Sequence, residues 1–436
     1  MKKHIYTYII LLFTTIGSVN AQDYFSFYNL GDYVAQTQNV SPVYLPKNSF
    51  TFGTPLNVGM NLKSNLTLSN ILVDNGSGGL KIDFDGLNES SEEINKINSD
   101  VTANIFMLAF KTKKGSLTVF ANLRSTLNWQ YSDDFTNVAA NGFGASFALS
   151  DDKMRSSSYS EIGIGYTRKF LKDRLAVGLR LKSLNGITHS ETAENSSLSV
   201  DIDQTTSYWT VMASNATVNT SGLEEDENGD RSFFTGNKGF GFDIGATYAI
   251  TPKLTVELAV NDIGSIDWSE NVKNYNIADT DGAVFQGGDL NTEGSIEDEL
   301  TSALEDVIGT SETTESFKTK LSTKTYISAK YQLTEKNALT AAFFKKSNTL
   351  IDVKASYALG FNRTLNKTTY GVVASAGGPN SDMRFGANVV LRLGFLQLYA
   401  ATDNIANLAG KIEDTNGGTV RVGLNFVFGY NKWIKK

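Results

Sequence analysis

The sequence contains no cysteine in 436 residues, only 5 prolines and 2 histidines. The missing thiols exclude a disulfide framework, a thiolate metal site and a lipid anchor on a cleavage-site cysteine. One histidine, His4, lies in the first few residues, which leaves His189 alone and rules out a His-rich metal centre. No stretch beyond the N-terminus approaches the roughly 18 apolar residues that a membrane helix needs. Positive charge is also scarce. The formal net charge of −7 becomes −9 once Lys2 and Lys3 are removed. That balance argues against a nucleic-acid partner and against electrostatic docking on anionic lipid. No cofactor is expected.

What is abundant is glycine and aromatic residues: 38 Gly, 26 Phe and 18 Tyr. Met1 to His4 form a short basic head, Ile5 to Gly17 an apolar run, and Ser18 to Ala21 a small-residue end. That is the layout of a secretory signal, with Sec export and cleavage after Ala21. The mean hydropathy of −0.20 is compatible with a barrel, in which only one face of each strand meets lipid.

Period-two alternation recurs down the chain. Phe240, Phe242, Ile244, Ala246 and Tyr248 alternate with Gly241, Asp243, Gly245 and Thr247. A one-residue slip would put Asp243 into lipid, so the register is strongly specified. The pattern returns at Leu254 to Val260 and at Val420 to Tyr430. Short turns at Lys113-Lys114-Gly115, Leu171-Lys172-Asp173, Thr251-Pro252-Lys253 and Leu393-Gly394 alternate with long links such as Ser132 to Ser157 and Ser269 to Thr323. The expected fold is all-β: a transmembrane antiparallel barrel of about 14 strands, or 16 if Leu198 to Val218 adds a hairpin, with short periplasmic turns and long extracellular loops. The first strand is expected at Phe50 to Leu62, and a later one starts near Leu350. The chain divides into a signal (1–21), a periplasmic or plug segment (22–49), the barrel (50–430) and a tail (431–436). Placed in the outer membrane of a Gram-negative bacterium, it has lipid and the barrel assembly machinery as its expected partners. Ser295 to Ile308 reads as a loop helix, with Ile296, Leu300, Leu304 and Val307 on one stripe and Gly309 as its stop.

Barrel parity sorts the charged residues. Arg180, Lys182, Lys330, Lys354, Arg384, Arg392 and Arg421 fall on the inner face together with Asp243, Glu257 and Asp352. A lipid-facing Arg or Lys at midplane costs about 2–4 kcal/mol, so these groups belong in the lumen. They either pair in a sealed interior or line a wet path that selects solutes by charge.

Support for catalysis or metal binding is slight. His189 is followed by Ser190, but neighbours on a strand point apart, and it reads as an ordinary loop residue. Asp226, Asn228 and Asp230 space like the start of a calcium loop. The sixth position is Arg231 where such loops want Gly, and the twelfth is Asn237 where they want Glu. The segment reads as a solvated acidic loop.

Five segments carry a resemblance: Gln38 to Tyr44, Asp243 to Tyr248, Val260 to Trp268, Leu396 to Ile405, and Val422 to Gly429. In order and spacing they resemble a Bacteroidota family of predicted outer-membrane barrels, the domain of unknown function numbered 5723. The chain is more distantly similar to outer-membrane long-chain fatty-acid channels, whose N-terminal hatch carries an Asn-Pro-Ala element where this sequence has Ser41-Pro42-Val43. The resemblance implies a barrel in the outer membrane. Two functions remain open beside a less favoured hydrolase: a passive route for a small, hydrophobic solute, and a non-enzymatic structural or docking component of a cell-surface, secretion or gliding complex with an unidentified protein partner.

Overall fold

Fourteen strands close into one antiparallel cylinder in a computed structural model that describes residues 24–70, 72–74, 80–142, 145–223, 235–286, 309–377, 383–406 and 416–429. The first strand, β1, is interrupted: Phe50–Gly53 and Val58–Ser64 lie end to end, with Thr54 to Asn57 between them. The wall continues through β2 (Ile94–Thr112), β3 (Gly115–Ser132), β4 (Lys153–Phe170), β5 (Leu175–Thr192), β6 (Lys238–Ala249) and β7 (Leu254–Trp268). It is completed by β8 (Thr323–Gln332), β9 (Asn337–Ser347), β10 (Ser356–Thr364), β11 (Thr368–Ala376), β12 (Met383–Leu393), β13 (Leu396–Thr402) and β14 (Gly417–Phe428). Both halves of β1 pair with β14 on one side and β2 on the other, so the ladder has no free edge. Closure satisfies every strand's backbone within the wall, which is the condition for strands to cross lipid.

The outer face is apolar because the sequence alternates. In β4, Ile162, Ile164 and Tyr166 are exposed while Glu161, Gly163, Gly165 and Thr167 are buried inside. Phe240, Leu258, Ile327, Val372 and Phe385 continue the exposed belt around the cylinder. A contiguous apolar surface of this extent is what a membrane covers.

The two sides of the barrel differ in height. Strands β8 to β14 run 7 to 12 residues, close to the roughly 9–11 that cross a bilayer at a tilt. Strands β2 to β5 run 18 or 19 and so project beyond it. Their extensions are widened by Ala216–Ser221, which pairs with β5 and with Val272–Ile277. A separate four-stranded sheet stands above this wall, ordered Thr280–Phe285, Trp209–Ser214, Ser197–Ile202, Phe147–Ala148. The hairpin within Leu198 to Val218 therefore belongs to this cap, and the wall keeps 14 strands. A helix that the hydrophobic pattern did not reveal, Asp133–Asn141, packs beside it. It is capped by Ser132 Oγ, which accepts from Phe135 N at 3.2 Å, and Asp133 and Asp134 sit in its first turn. The helix expected at Ser295 to Ile308, the acidic segment at Asp226 to Asp230, the signal and the tail 431–436 lie outside the described residues.

Candidate functional site in the lumen

Residues Tyr24 to Asn48 lie inside the cylinder. Leu30, Val34 and Ala35 are wholly inaccessible. The segment is too short and too irregular to satisfy its own backbone, so wall side chains do it. Ser26 N donates to Asp403 Oδ1 at 2.6 Å, Arg180 Nη1 to the Gln38 carbonyl at 2.7 Å, and Gln397 Nε2 to the Tyr33 carbonyl at 2.8 Å. Gln36 and Asn425 exchange two amide hydrogen bonds, at 2.8 and 3.0 Å. Tyr28 Oη and Ser328 Oγ are hydrogen-bonded at 2.7 Å, and the Tyr28 ring stacks on Tyr326 with centroids 5.2 Å apart. Burial pushes the Tyr24 and Tyr28 phenols well above their ordinary range, so both act as neutral hydrogen-bonding groups.

Small wall residues make room for this segment. A Cβ at Gly178 would run into the carbonyl of Pro42, and one at Gly245 would stand 2.9 Å from Pro42 Cγ. The proline of the Ser41-Pro42-Val43 element is thus seated between two glycines on neighbouring strands. Ser41 Oγ donates to Glu257 Oε1, which fixes the role of that inward carboxylate.

A second layer is ionic. Lys182 Nζ reaches Asp243 Oδ1 at 2.6 Å, Glu161 Oε2 at 3.8 Å and Asp262 Oδ1. Arg180 Nη1 pairs with Asp243 Oδ2 at 2.9 Å, and its guanidinium lies 3.9 Å from the centroid of Phe120. Arg124 bridges Glu161 at 3.3 Å and Asp262 at 3.5 Å. Lys324 Nζ pairs with Asp100 Oδ2 at 2.8 Å and Asp262 Oδ2 at 3.6 Å. All these side chains are buried. Such a network is tolerable away from water because each charge meets opposite charges in good geometry. Through Arg180 it is tied directly to the inserted segment.

A β-bulge assembles the centre of the network. The ladder between β6 and β7 shifts register after Phe242, and Asp262 takes φ +61°. Asn261 and Asp262 are consequently both buried, although strict alternation would send one of them outward. A bulge re-aims a side chain in this way, and Asp is among the non-glycine residues that enter the left-handed region most readily.

Of the charges that parity placed inside, Arg180, Lys182 and Asp243 meet in this network, while Glu257 holds the inserted segment. Arg421 is buried beside that segment, its guanidinium 4.1 Å from the Tyr24 ring centroid and 4.6 Å from that of Phe27. Arg384, on the same face as buried Gly386 and Asn388, donates to the Gly377 carbonyl. Lys330 and Arg392 share the inward parity of their strands, alongside Ser328 and Val390. Asp352 and Lys354 are a correction. Strand β10 begins at Ser356, not near Leu350, and the irregular approach to it breaks the alternation. Ile351 and Val353 take the buried positions, and Asp352 lies exposed, 3.2 Å from Lys345 Nζ. Asp100, Arg124, Glu161, Asp262, Lys324 and Lys346 are buried too, as are Lys63 and Asp403, and none of them was in the parity reading.

His189 is also corrected from a loop residue to a buried position on β5. Its Nδ1 is 2.8 Å from Ser157 Oγ, its Nε2 3.2 Å from Glu191 Oε2, and its ring stacks on Trp268 at 4.7 Å. Ser157 and His189 are direct cross-strand neighbours, a placement that brings a hydroxyl to the imidazole and satisfies both.

In the cap, the helix Asp133–Asn141 and the four-stranded sheet flank a partly open hollow of about 320 Å³. Phe135, Val138, Phe147, Leu198, Trp209 and Val211 are among its lining, which offers no polar surface.

The chain is similar to several solved outer-membrane channels. The toluene transporter TbuX of Ralstonia pickettii is 7% identical, with 95% of this chain and 96% of that one covered and a TM-score of 0.42. The toluene transporter TodX of Pseudomonas putida is 9% identical, with 94% and 98% covered and a TM-score of 0.40. A deltaS2S3 mutant of TodX, described as a monoaromatic hydrocarbon channel, is 9% identical, with 91% and 95% covered and a TM-score of 0.47. No curated protein matches the sequence. A family profile matches residues 42–403, which include the Pro42 seat, the bulge and the buried network, and the chain belongs to that family of unknown function, DUF5723.

Proposed function

We propose that the chain is exported by the Sec route, cleaved after Ala21, and inserted as a non-enzymatic barrel in the outer membrane of a Gram-negative bacterium. There it provides a passive route for a small hydrophobic solute. The observation that carries this reading is the cap hollow, about 320 Å³ and lined without polar surface. A smaller apolar cavity, about 150 Å³, already binds benzene in an engineered protein. Below it, the inserted segment joins the wall covalently through Ser49 at its C-terminal end and is otherwise held by hydrogen bonds and apolar packing, so it is a stopper that can move without breaking the wall.

The alternative, a docking component of a surface complex, draws support from the filled lumen: the segment 24–48 and the ionic layer together occupy much of the interior. The two readings part on one experiment. Purified protein in liposomes is assayed for uptake of a small neutral aromatic such as toluene. Three forms are compared: the parent, a form lacking residues 24–48, and Val211→Trp, which fills the cap hollow. Transport predicts uptake that rises on deletion and falls in Val211→Trp. Liposomes that stay tight in all three forms, with folded protein, would reject it in favour of docking.

A further inference from the structure

The apolar belt is not evenly filled. On the lipid-facing side of β7 to β10, Val256, Ala329, Ala341 and Leu359 are successive cross-strand neighbours. Ala329 and Ala341 carry only a methyl group. The row above them holds Ile327, Phe343 and Tyr357, and the row below holds Tyr331, Leu339 and Phe361. Ile327, Tyr331, Leu339 and Tyr357 stand well exposed from the wall, so the short row between them is a trough. It forms part of an open, almost wholly apolar hollow of about 430 Å³, within the roughly 300–1,000 Å³ of ligand sites. The bilayer core has no water to fill it.

Above the trough the same face turns basic. Phe343 and Tyr357 close the upper side, their ring centroids 5.3 Å apart. Lys345 follows Phe343 by two residues on β9 and so shares its face. Lys354 precedes Tyr357 by three residues on the approach to β10. There Ile351 and Val353 turn inward, which leaves Asp352 and Lys354 exposed. Asp352 Oδ1 lies 3.2 Å from Lys345 Nζ. This link from β9 to β10 is on the cap side, as is the link from β7 to β8 that carries the cap strand Thr280–Phe285.

We propose that the hollow and its rim are a binding site for one anionic phospholipid of the cap-side leaflet. An acyl chain lies in the trough over Ala329 and Ala341, and the headgroup phosphate meets Lys345 and Lys354. The occupant follows from the order of the parts: an apolar slot continuous with the lipid-covered belt, and ammonium groups directly above it. Basic clusters at a membrane surface recruit anionic headgroups in this way. The formal net charge of −7 belongs to the whole chain, and charges beyond roughly 8–10 Å are largely screened at the surface. The inference rests on the barrel standing in lipid and does not depend on solute transport.

Full-length protein in neutral detergent is titrated with dimyristoyl phosphatidylglycerol or dimyristoyl phosphatidylcholine, and bound lipid is counted by native mass spectrometry. The two lipids share their tails and differ in net charge. The parent is expected to retain one phosphatidylglycerol about tenfold more tightly than phosphatidylcholine. Lys345→Gln combined with Lys354→Gln is expected to abolish that preference and keep the weaker, tail-driven binding. Both positions are on the surface, and Gln retains a donor for the Val353 carbonyl that Lys345 reaches at 2.7 Å. Ala341→Phe fills the trough and is expected to weaken both lipids; should it fail to fold, the lysine pair decides. Equal retention of the two lipids by the parent overturns the proposal, as does a preference that survives the lysine substitutions. Inorganic phosphate that displaces the lipid from the parent at equal concentration would assign the rim to a free ion and overturn it too. A dimer in lipid-free detergent that Ala341→Phe breaks would give the hollow to a second copy of the chain, with the same result.

Discussion

The backbone N–H of Asp262 donates to Oδ1 of Asp243 at 2.7 Å. The extra residue of a bulge leaves a backbone donor without its ladder partner, and here a carboxylate from the neighbouring strand takes it. The same Asp243 binds Arg180 and Lys182, so bulge and network form one unit. Removing the Asp262 carboxylate leaves buried cations short of charge, a loss that typically costs about 3–5 kcal/mol. Asp262→Gly relieves the left-handed backbone and still removes the charge, and is expected to unfold at clearly lower denaturant in detergent than the parent. Asp262→Asn, with a side chain that tolerates φ +61°, isolates the charge effect and is expected to be destabilised as well. Parent-like unfolding of Asp262→Gly would show that the carboxylate contributes nothing.

That bulge also marks where the sequence stops being readable. Alternation is a one-dimensional signal, and it placed Arg180, Lys182, Asp243 and Arg421 inside because their strands are regular. It missed Asp262 because the bulge shifts parity there, and it misplaced Asp352 and Lys354 because the approach to Ser356 is irregular. Arg124 and Glu161 lay within expected strands and on their inner faces; counting parity through β3 and β4 finds them. Asp100 fell just before a strand expected to start at Val101, whereas β2 begins at Ile94. The course of residues 24–48 depends on side-chain contacts with strands as distant as β14, and no local pattern encodes those.

The apolar belt makes a positional prediction. Ile164 and Met212 are both exposed, 54% and 44%, but Ile164 sits on the barrel wall and Met212 in the cap sheet. Arg at a lipid-facing midplane position costs about 2–4 kcal/mol, while Arg on a hydrated surface costs little. Ile164→Arg is expected to lower folding stability in lipid vesicles by that order and Met212→Arg to leave it nearly unchanged. Equal effects from the two would remove the lipid from the outer wall.

His189 is expected to matter for packing and not for chemistry. Its ring completes a triangular cluster with Trp268 and Phe317, with centroids 4.7 and 5.4 Å away. His189→Ala opens a cavity and orphans the Ser157 hydroxyl, at an expected cost of about 1–3 kcal/mol. Any solute uptake by the folded variant is expected to match the parent. Esterase activity in the parent that vanishes in His189→Ala would contradict this assignment.

The seat of Pro42 offers the most direct handle on the inserted segment. Gly178 and Gly245 present bare backbone to it, and a branched side chain at either position occupies the volume that Pro42 now fills. The wall is continuous and closed by a backbone ladder, whereas the segment is held by side-chain hydrogen bonds and apolar packing, so the segment is the part expected to yield. The absence of cysteine makes the test clean, because one introduced thiol is the only reactive one. Ala35→Cys places that thiol at a position with no solvent exposure and adds a single sulfur atom. In the otherwise unchanged chain a water-soluble maleimide is expected to label it slowly. Combined with Gly178→Val, labelling is expected to accelerate at least about tenfold, a shift of roughly 1.4 kcal/mol in the opening equilibrium. Unchanged labelling, with the barrel still folded by its circular dichroism, would mean that the segment is locked in place by contacts other than the Pro42 seat.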